Sequence, residues 1–482
     1  MNAPDAARKL APPARPDRAD VQALVAYGYK QNCSRHFVLE VVEPAKARAF
    51  VASLVDGGYI TDASSGIEHL RGLKDQGRCA VNIGFTYRGL EKLGLPVTYL
   101  YVFREKAAAF TEGAFLRAAR HLADTGPSAA EWWQPIFREH RYAHVLLCLH
   151  ADEVKVLKTV SKTLGNLPGA DGLKWNASFH AQHLGTDPDN RRAHFGMRDG
   201  IANPFIRGFH EGKPECKLHE PGELLLGYPN DNDFNPWLLV NPWPLPNPWL
   251  LPAAKFDPLF FRNGSFAAFR QMEQNVKKFY DFVACWAARL GVSEAYVKAK
   301  MAGRWESGNL IKPGELKDRA KADDDQDGFD FREDREGEGC PFGAHIRRMN
   351  PRADLVVPFR RRPLMRRGMP YGPAYKDKER RGIKRGLLGL FFCASLEDQF
   401  EHLLAEWGNA NPMGPYNRGD AKDPLMGNHE NRETVFDITM PDEGFRQLYG
   451  LTPFVTTRGT LYAFFPGCDA LAMIPKIAGA RP

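Results

Sequence analysis

The stretch Cys340-Pro341-Phe342-Gly343-Ala344-His345-Ile346-Arg347-Arg348-Met349-Asn350-Pro351-Arg352 sets one imidazole among three guanidinium groups. Proline fixes φ and glycine relaxes it, so both ends of the segment are expected to be turns. An imidazole ligates iron or zinc, and guanidinium groups bind carboxylates in a bidentate fashion. A haem offers both partners at once, an iron at its centre and two propionates at its edge. Taken alone, the segment reads better as a surface histidine beside a basic loop. Two further stretches carry chemistry-bearing residues. They are Phe195-Gly196-Met197-Arg198-Asp199-Gly200-Ile201-Ala202-Asn203-Pro204 and Met365-Arg366-Arg367-Gly368-Met369-Pro370-Tyr371-Gly372. Asp-Gly by itself is a common turn dipeptide.

These three segments occur in order with Gly222-Glu223-Leu224-Leu225-Leu226-Gly227-Tyr228-Pro229 and Phe454-Val455-Thr456-Thr457-Arg458-Gly459. Together they resemble the signature segments of the dye-decolourising (DyP-type) haem peroxidases, over most of the chain from about residue 80. Length and insertions look like those of the larger, bacterial-type members. The resemblance implies an α+β fold: two ferredoxin-like domains with antiparallel sheets, of the dimeric α+β barrel type, with haem in the C-terminal half. It implies non-covalent haem b with its iron, hydrogen peroxide as oxidant, and dyes, phenols or other one-electron donors as reductants. A homodimer is compatible with it. A haem storage or iron-release protein with incidental peroxidase activity is the alternative from another class.

The resemblance also assigns roles. His345 is the expected axial iron ligand, with a carboxylate on its other nitrogen raising its basicity. The family places that acid near the start of the helix after a buried strand. Ser395 stands there where some members have Asp, which leaves Glu397, Asp398 and Glu401, with Glu397 favoured. Asp199, followed by Gly200 at the cofactor, is the expected distal acid–base group. Arg366 is expected to stabilise charge on the leaving oxygen; Arg367 competes, but the R-x-G-x-P-Y-G spacing selects Arg366. Arg352 and Arg347 are expected to bind propionates. Gly389 departs from the bulkier residue usual in the family, which implies a wider cavity if that position faces haem. His194 lies near Asp199 in sequence and reads better as a structural residue.

The chain has 482 residues, 43% of them hydrophobic and 26% charged, an ordinary globular composition. Its net charge of +7 comes from interspersed acids and bases, with no stripe that would bind nucleic acid. Eight cysteines form no CxxC or CxxCH spacing, which argues against a zinc ribbon and a covalently attached haem. Scattered thiols, no apolar leader and no apolar run of about 18 residues predict a cytoplasmic protein without a membrane span. The acidic run Asp323–Asp334 partly matches a calcium loop, but Asp330 replaces an apolar residue and Asp334 the closing Glu; it reads as a solvated loop. Trp237, Trp243 and Trp249 read as anchors of a proline-rich loop rather than surface electron relays.

The elements that must position these residues alternate along the chain. Residues 1–19 read as a disordered leader, 20–200 as the first domain and 201–482 as the second. Strands are predicted at 21–29, 36–42, 79–85, 144–150, 265–270, 386–395 and 460–465. Helices are predicted at 45–55, 107–122, 152–167, 271–290 and 396–407.

Overall fold

The computed structural model describes residues 15–29, 31–64, 78–185, 191–210, 212–213, 217–237, 256–319, 323, 325–352, 361–376, 382–411, 421–430, 433–441 and 444–477. Trp243, Trp249 and Cys216 lie outside them, as do residues 1–14 of the expected leader. Residues 15–19 are placed: Asp17 caps a short turn at Arg18–Asp20.

Four strands build the first unit: β1 (Cys33–Val41), β2 (Cys79–Phe85), β3 (Val145–Ala151) and β4 (Leu173–Gln182). Four more build the second: β5 (Ser265–Gln274), β6 (Met365–Tyr371), β7 (Gly386–Cys393) and β8 (Val455–Phe465). The sheet runs β4-β1-β3-β2-β8-β5-β7-β6, so each unit shows the same order of its fourth, first, third and second strand. All these pairings are antiparallel. This is the ferredoxin-like order, twice, as expected. The units join edge to edge through Phe464 opposite Phe85, and β4 also lies against β6, so the sheet curls back on itself.

Helix α1 (Pro44–Asp56) covers the first unit, as does α4 (Val154–Gly165), whereas α2 (Ala108–Glu112) and α3 (Ala114–His121), in the excursion between β2 and β3, pack on β8 of the second. Helix α5 (Val276–Leu290) starts five residues later than predicted, because Asn275 accepts from Lys278 N–H and fixes the first turn there. β5 uses the residues thus released. The expected strand at 21–29 is instead a short helix, Ala23–Ala26, sunk entirely in the core. β6 was not anticipated: its arginines, glycine and proline have poor strand propensity. As the last strand of the sheet, it tolerates Pro370.

Helix α6 (Glu294–Ala302) leads to α7 (His345–Met349). The predicted helix at 396–407 winds more widely, as π-helical turns Leu396–Glu401 and Leu403–Gly408. Helix α8 (Cys468–Ile477) closes the chain against α1. Among the described residues, no helix is long and apolar enough to cross a membrane.

Candidate functional site

His345 is the first residue of α7, and its ring is held from one side. Nδ1 lies 2.8 Å from Asp423 Oδ2. The Asp423 side chain is fully buried, while 35% of the His345 side chain is exposed. Nε2 has no protein partner among the described residues. Asp423 is itself fixed, its Oδ1 accepting from Leu425 N–H (2.9 Å) and Met426 N–H (3.0 Å). Its carbonyl meets His429 Nε2 at 2.9 Å. Burial would raise the Asp423 carboxyl, but the His345 ring and the Arg348 guanidinium hold it below the usual range. Burial would also push the imidazole down, yet the Asp423 carboxylate carries it above its ordinary value. Arg366 and Asp199 act on the same ring in opposite directions, which puts all three in one region.

The other wall of that region comes from β6 and the 199–203 loop. Arg366 donates from its backbone N–H to Asn203 Oδ1 (2.9 Å) and from Nη2 to Ala202 O (2.7 Å). Asp199 Oδ1 accepts from Gly200 N–H at 2.7 Å. A side-chain carbon on Gly368 would lie 3.8 Å from Asp199 Oδ2, and one on Gly200 would meet nothing within 4 Å. Gly200 has φ +78, a conformation that favours glycine. The wall is therefore open at Gly200, beside the Asp199 carboxylate.

Gly389 sits directly opposite Gly368 in the β6–β7 ladder. The Phe391 ring leans over it, 2.4 Å from where a side-chain carbon would be. The missing bulk at 389 is thus replaced by Phe391, and the expected widening is offset.

Two expectations change. Glu397 does not reach His345: its Oε1 accepts from Ala109 N–H at 2.5 Å, in the first turn of α2. Its neighbours are no nearer the ring: the Asp398 backbone donates to Ser395 Oγ, and Glu401 forms a bidentate pair with Arg117 (2.7 Å on both arms). The acid is Asp423, in a loop no motif marks; its Asp-Pro start and the two backbone N–H groups it caps are the local signal of such a turn. Arg347 is fully buried and lies away from the cavity. It donates to Cys340 O (2.8 Å) and lies between the Phe331 and Phe342 rings. Two residues along a helix turn by roughly 200°, which carries it to the side opposite His345. Arg348 is spent likewise, on the carbonyls of Trp407 (2.7 Å), Ala421 (3.1 Å) and Ala410.

Arg352 bonds the carbonyl (2.6 Å) and carboxylate of Asp327 and lies over Phe329. Beside it is Arg304, which sequence reasoning missed; burial lowers its pKa to about 10, with Arg352 and Arg366 both close. Three guanidinium groups with Asp327 as their acid make this edge positive. The described part of the acidic run is a loop, as expected, with Asp325 exposed, and its carboxylates are paired. Asp323 pairs with Arg319, Asp325 with Lys217, Asp327 with Arg352, and Asp334 accepts from Cys340 N–H. His194 is buried and its Nε2 lies 2.8 Å from Tyr371 O, at the end of the strand that carries Arg366. Trp237 is buried among Phe103, Phe261 and Phe266.

A haem suits these residues: a ring nitrogen without a protein partner, its partner nitrogen on a buried carboxylate, an open space flanked by glycines, and a positive edge. Comparison with known proteins agrees. No family model matches the chain. It is 28% identical to dye-decolorizing peroxidase msp1 of Mycetinis scorodonius, over 95% of this chain and 87% of that protein. It is 26% identical to dye-decolorizing peroxidase AauDyP1 of Auricularia auricula-judae, over 94% and 86%. Among solved structures, a dye-decolorizing peroxidase in complex with 2,6-dimethoxyphenol superposes with a TM-score of 0.75, at 24% identity, over 95% of this chain and 99% of that one. These relatives along the full length are fungal, in contrast to the bacterial type that length and insertions had implied. With the signature segments in their order and the relatives matched from end to end, the chain is similar along its length to the dye-decolourising (DyP-type) peroxidases.

Proposed function

We propose that the space between His345 and the Asp199–Arg366 wall is the peroxide-reducing site of a haem peroxidase that oxidises dyes and phenols. One observation carries this reading. His345 is fixed on Nδ1 by a buried carboxylate, its Nε2 has no protein partner among the described residues, and Asp199 and Arg366 both act on the same ring.

In this reading, non-covalent haem b bound through its iron to His345 Nε2 supplies the two-electron reduction of the peroxide O–O bond. Asp423, kept anionic, accepts from Nδ1–H and so fixes the tautomer that leaves Nε2 as a ligand. Asp199 Oδ2, the oxygen not occupied by Gly200, takes the proton from the nearer peroxide oxygen and returns it to the farther one. Arg366, anchored to Ala202 and Asn203, offers its remaining N–H groups to the negative charge on the departing oxygen. Arg352, with Arg304 beside it, would hold the propionates by charge. Donors then return two electrons singly. The related structure holds 2,6-dimethoxyphenol, and phenols of this kind are the donors proposed here. Seven described cysteines are free thiols, which supports a reducing, cytoplasmic setting.

Stopped-flow spectra of haem-loaded protein mixed with one equivalent of peroxide, from pH 3 to 8, test the assignment. Asp199→Asn is expected to lose about 10²–10⁴-fold in the peroxide step together with its acid limb. Arg366→Leu is expected to lose about 10²–10³-fold and keep that limb. An Asp199→Asn protein with the unaltered rate and profile removes Asp199 from the mechanism. His345→Ala is expected to fold but retain little haem.

A further inference from the structure

Side chains alternate along a strand, so Arg367 leaves β6 on the face opposite Arg366. It is registered across from Leu390, and Leu390 from Phe269, a row that faces the interior of the curled sheet. Across that interior the Phe269 ring meets His36 (centroids 5.2 Å apart), His36 meets His150 (5.4 Å), and His150 meets Tyr29 (5.1 Å). Tyr29 donates to Asn82 Oδ1 at 2.7 Å.

The cluster has a cation without an acid. Among the described residues, Arg367 donates to two carbonyls, from Nε to Leu24 O (3.0 Å) and from Nη1 to Arg366 O (3.4 Å). Burial pushes its pKa down to about 9, and the charged or ionisable groups that act on it are Tyr29 and Arg366, with no carboxylate among the described residues. The histidines around it feel the same surplus. Burial and His180 lower His36 to about 3; burial, His36, Arg367 and His183 hold His150 well below its ordinary value. Three buried polar atoms here have no hydrogen-bond partner among the described residues: Ser34 Oγ, His36 Nδ1 and His150 Nδ1. Ser34 stands directly opposite His150 in the β1–β3 ladder. Buried charges in proteins are paired, and buried polar atoms are hydrogen-bonded. Neither need is met among the described residues.

We infer that the interior of the sheet holds a small oxyanion, a carboxylate or inorganic phosphate, bound by the Arg367 guanidinium edge with His150 and Ser34 as further hydrogen-bond partners. The planar Nη1/Nη2 edge presents the parallel N–H pair that such anions accept. Gly28 marks the approach: it is exposed, and a side-chain carbon there would lie 3.4 Å from Arg367 Nη1. The site lies on the other face of β6 from the peroxidase centre and does not depend on that assignment.

Calorimetric titration of the full chain in HEPES, at constant ionic strength set by chloride, with sodium phosphate in one series and sodium acetate in another, tests the inference. Protein as purified is also denatured and its released anions are separated by ion chromatography. Saturable one-to-one binding of either anion, or about one equivalent of released oxyanion, is expected, and the responding series tells phosphate from carboxylate. Arg367→Gln is expected to weaken binding at least tenfold. Gly28→Leu keeps every ligand but fills the approach; it is expected to do the same and covers the case of an unfolded arginine variant. No saturable binding together with no released oxyanion overturns the inference. So does undiminished affinity in either folded variant.

Discussion

Asp423 and Glu397 separate a real partner of His345 from a sequence neighbour of the right type. Asp423→Asn keeps the side-chain shape but replaces the carboxylate that accepts from Nδ1, so the ring loses its anionic partner. A loss of about 10–100-fold in peroxidase turnover or haem affinity is expected, with a lowered iron–histidine stretching frequency by resonance Raman. Glu397→Gln, which only trades one acceptor for another at Ala109, is expected to leave that frequency unchanged. The same scale fixes the meaning of Gly389. Gly389→Leu would drive a side chain into the Phe391 ring, and overpacking of this kind costs about 1–3 kcal/mol. Urea unfolding is expected to show that loss, and Phe391→Ala in the same chain to recover most of it.

At the scale of elements, the excursion between β2 and β3 is tied to the second unit by buried ion pairs. Arg270 on β5 forms a bidentate pair with Asp124 just beyond α3, at 2.6 and 2.7 Å, and is also within hydrogen-bond reach of Thr457 and Thr460 on β8. Removing one partner of a buried pair leaves a desolvated charge behind, so Asp124→Ala is expected to cost about 3–5 kcal/mol. Replacing both by apolar residues, Asp124→Leu with Arg270→Met, is expected to cost less than the single change, as read by denaturant melts. Helix phase operates at this scale too. A single turn of α7 sends His345 to the cavity, Arg347 into the Phe331–Phe342 sandwich and Arg348 onto three carbonyls.

Over the whole molecule, Asp20 fastens the N-terminal segment to the rest of the fold, accepting from Asn263 Nδ2 (2.7 Å) and from Asp469 N–H (2.7 Å). Burial raises its carboxyl from 3.8 to about 6, more than its hydrogen bonds lower it. The unfolded chain therefore gives up this proton at lower pH than the folded chain does, and Asp20's contribution to stability falls as pH rises from about 4 to 6. Asp20→Asn is expected to lack this decline. Relative to the variant, the native chain should be more stable at pH 4 than at pH 7, as measured by urea melts at both.

Much of the proposed site was legible without coordinates because it lies in short contiguous segments. His345, Asp199 and Arg366 each sit beside the prolines and glycines that shape their turns, and the alternation of apolar stretches announced two similar α+β units. Strands such as Cys79–Phe85 are written in local composition, since a fully buried strand needs a continuous apolar run. β6 escaped because its residues are chosen for the cavity on one face and for the interior on the other, not for strand propensity. Asp423 escaped because the partner of His345 lies 78 residues away, and nothing in the intervening sequence specifies that distance in space. Which arginine met a carboxylate, a carbonyl or an aromatic ring depended on helix phase and on the packing of distant chain. Local chemistry is encoded by neighbours in sequence; the pairing of charges is decided by the neighbours that folding brings together.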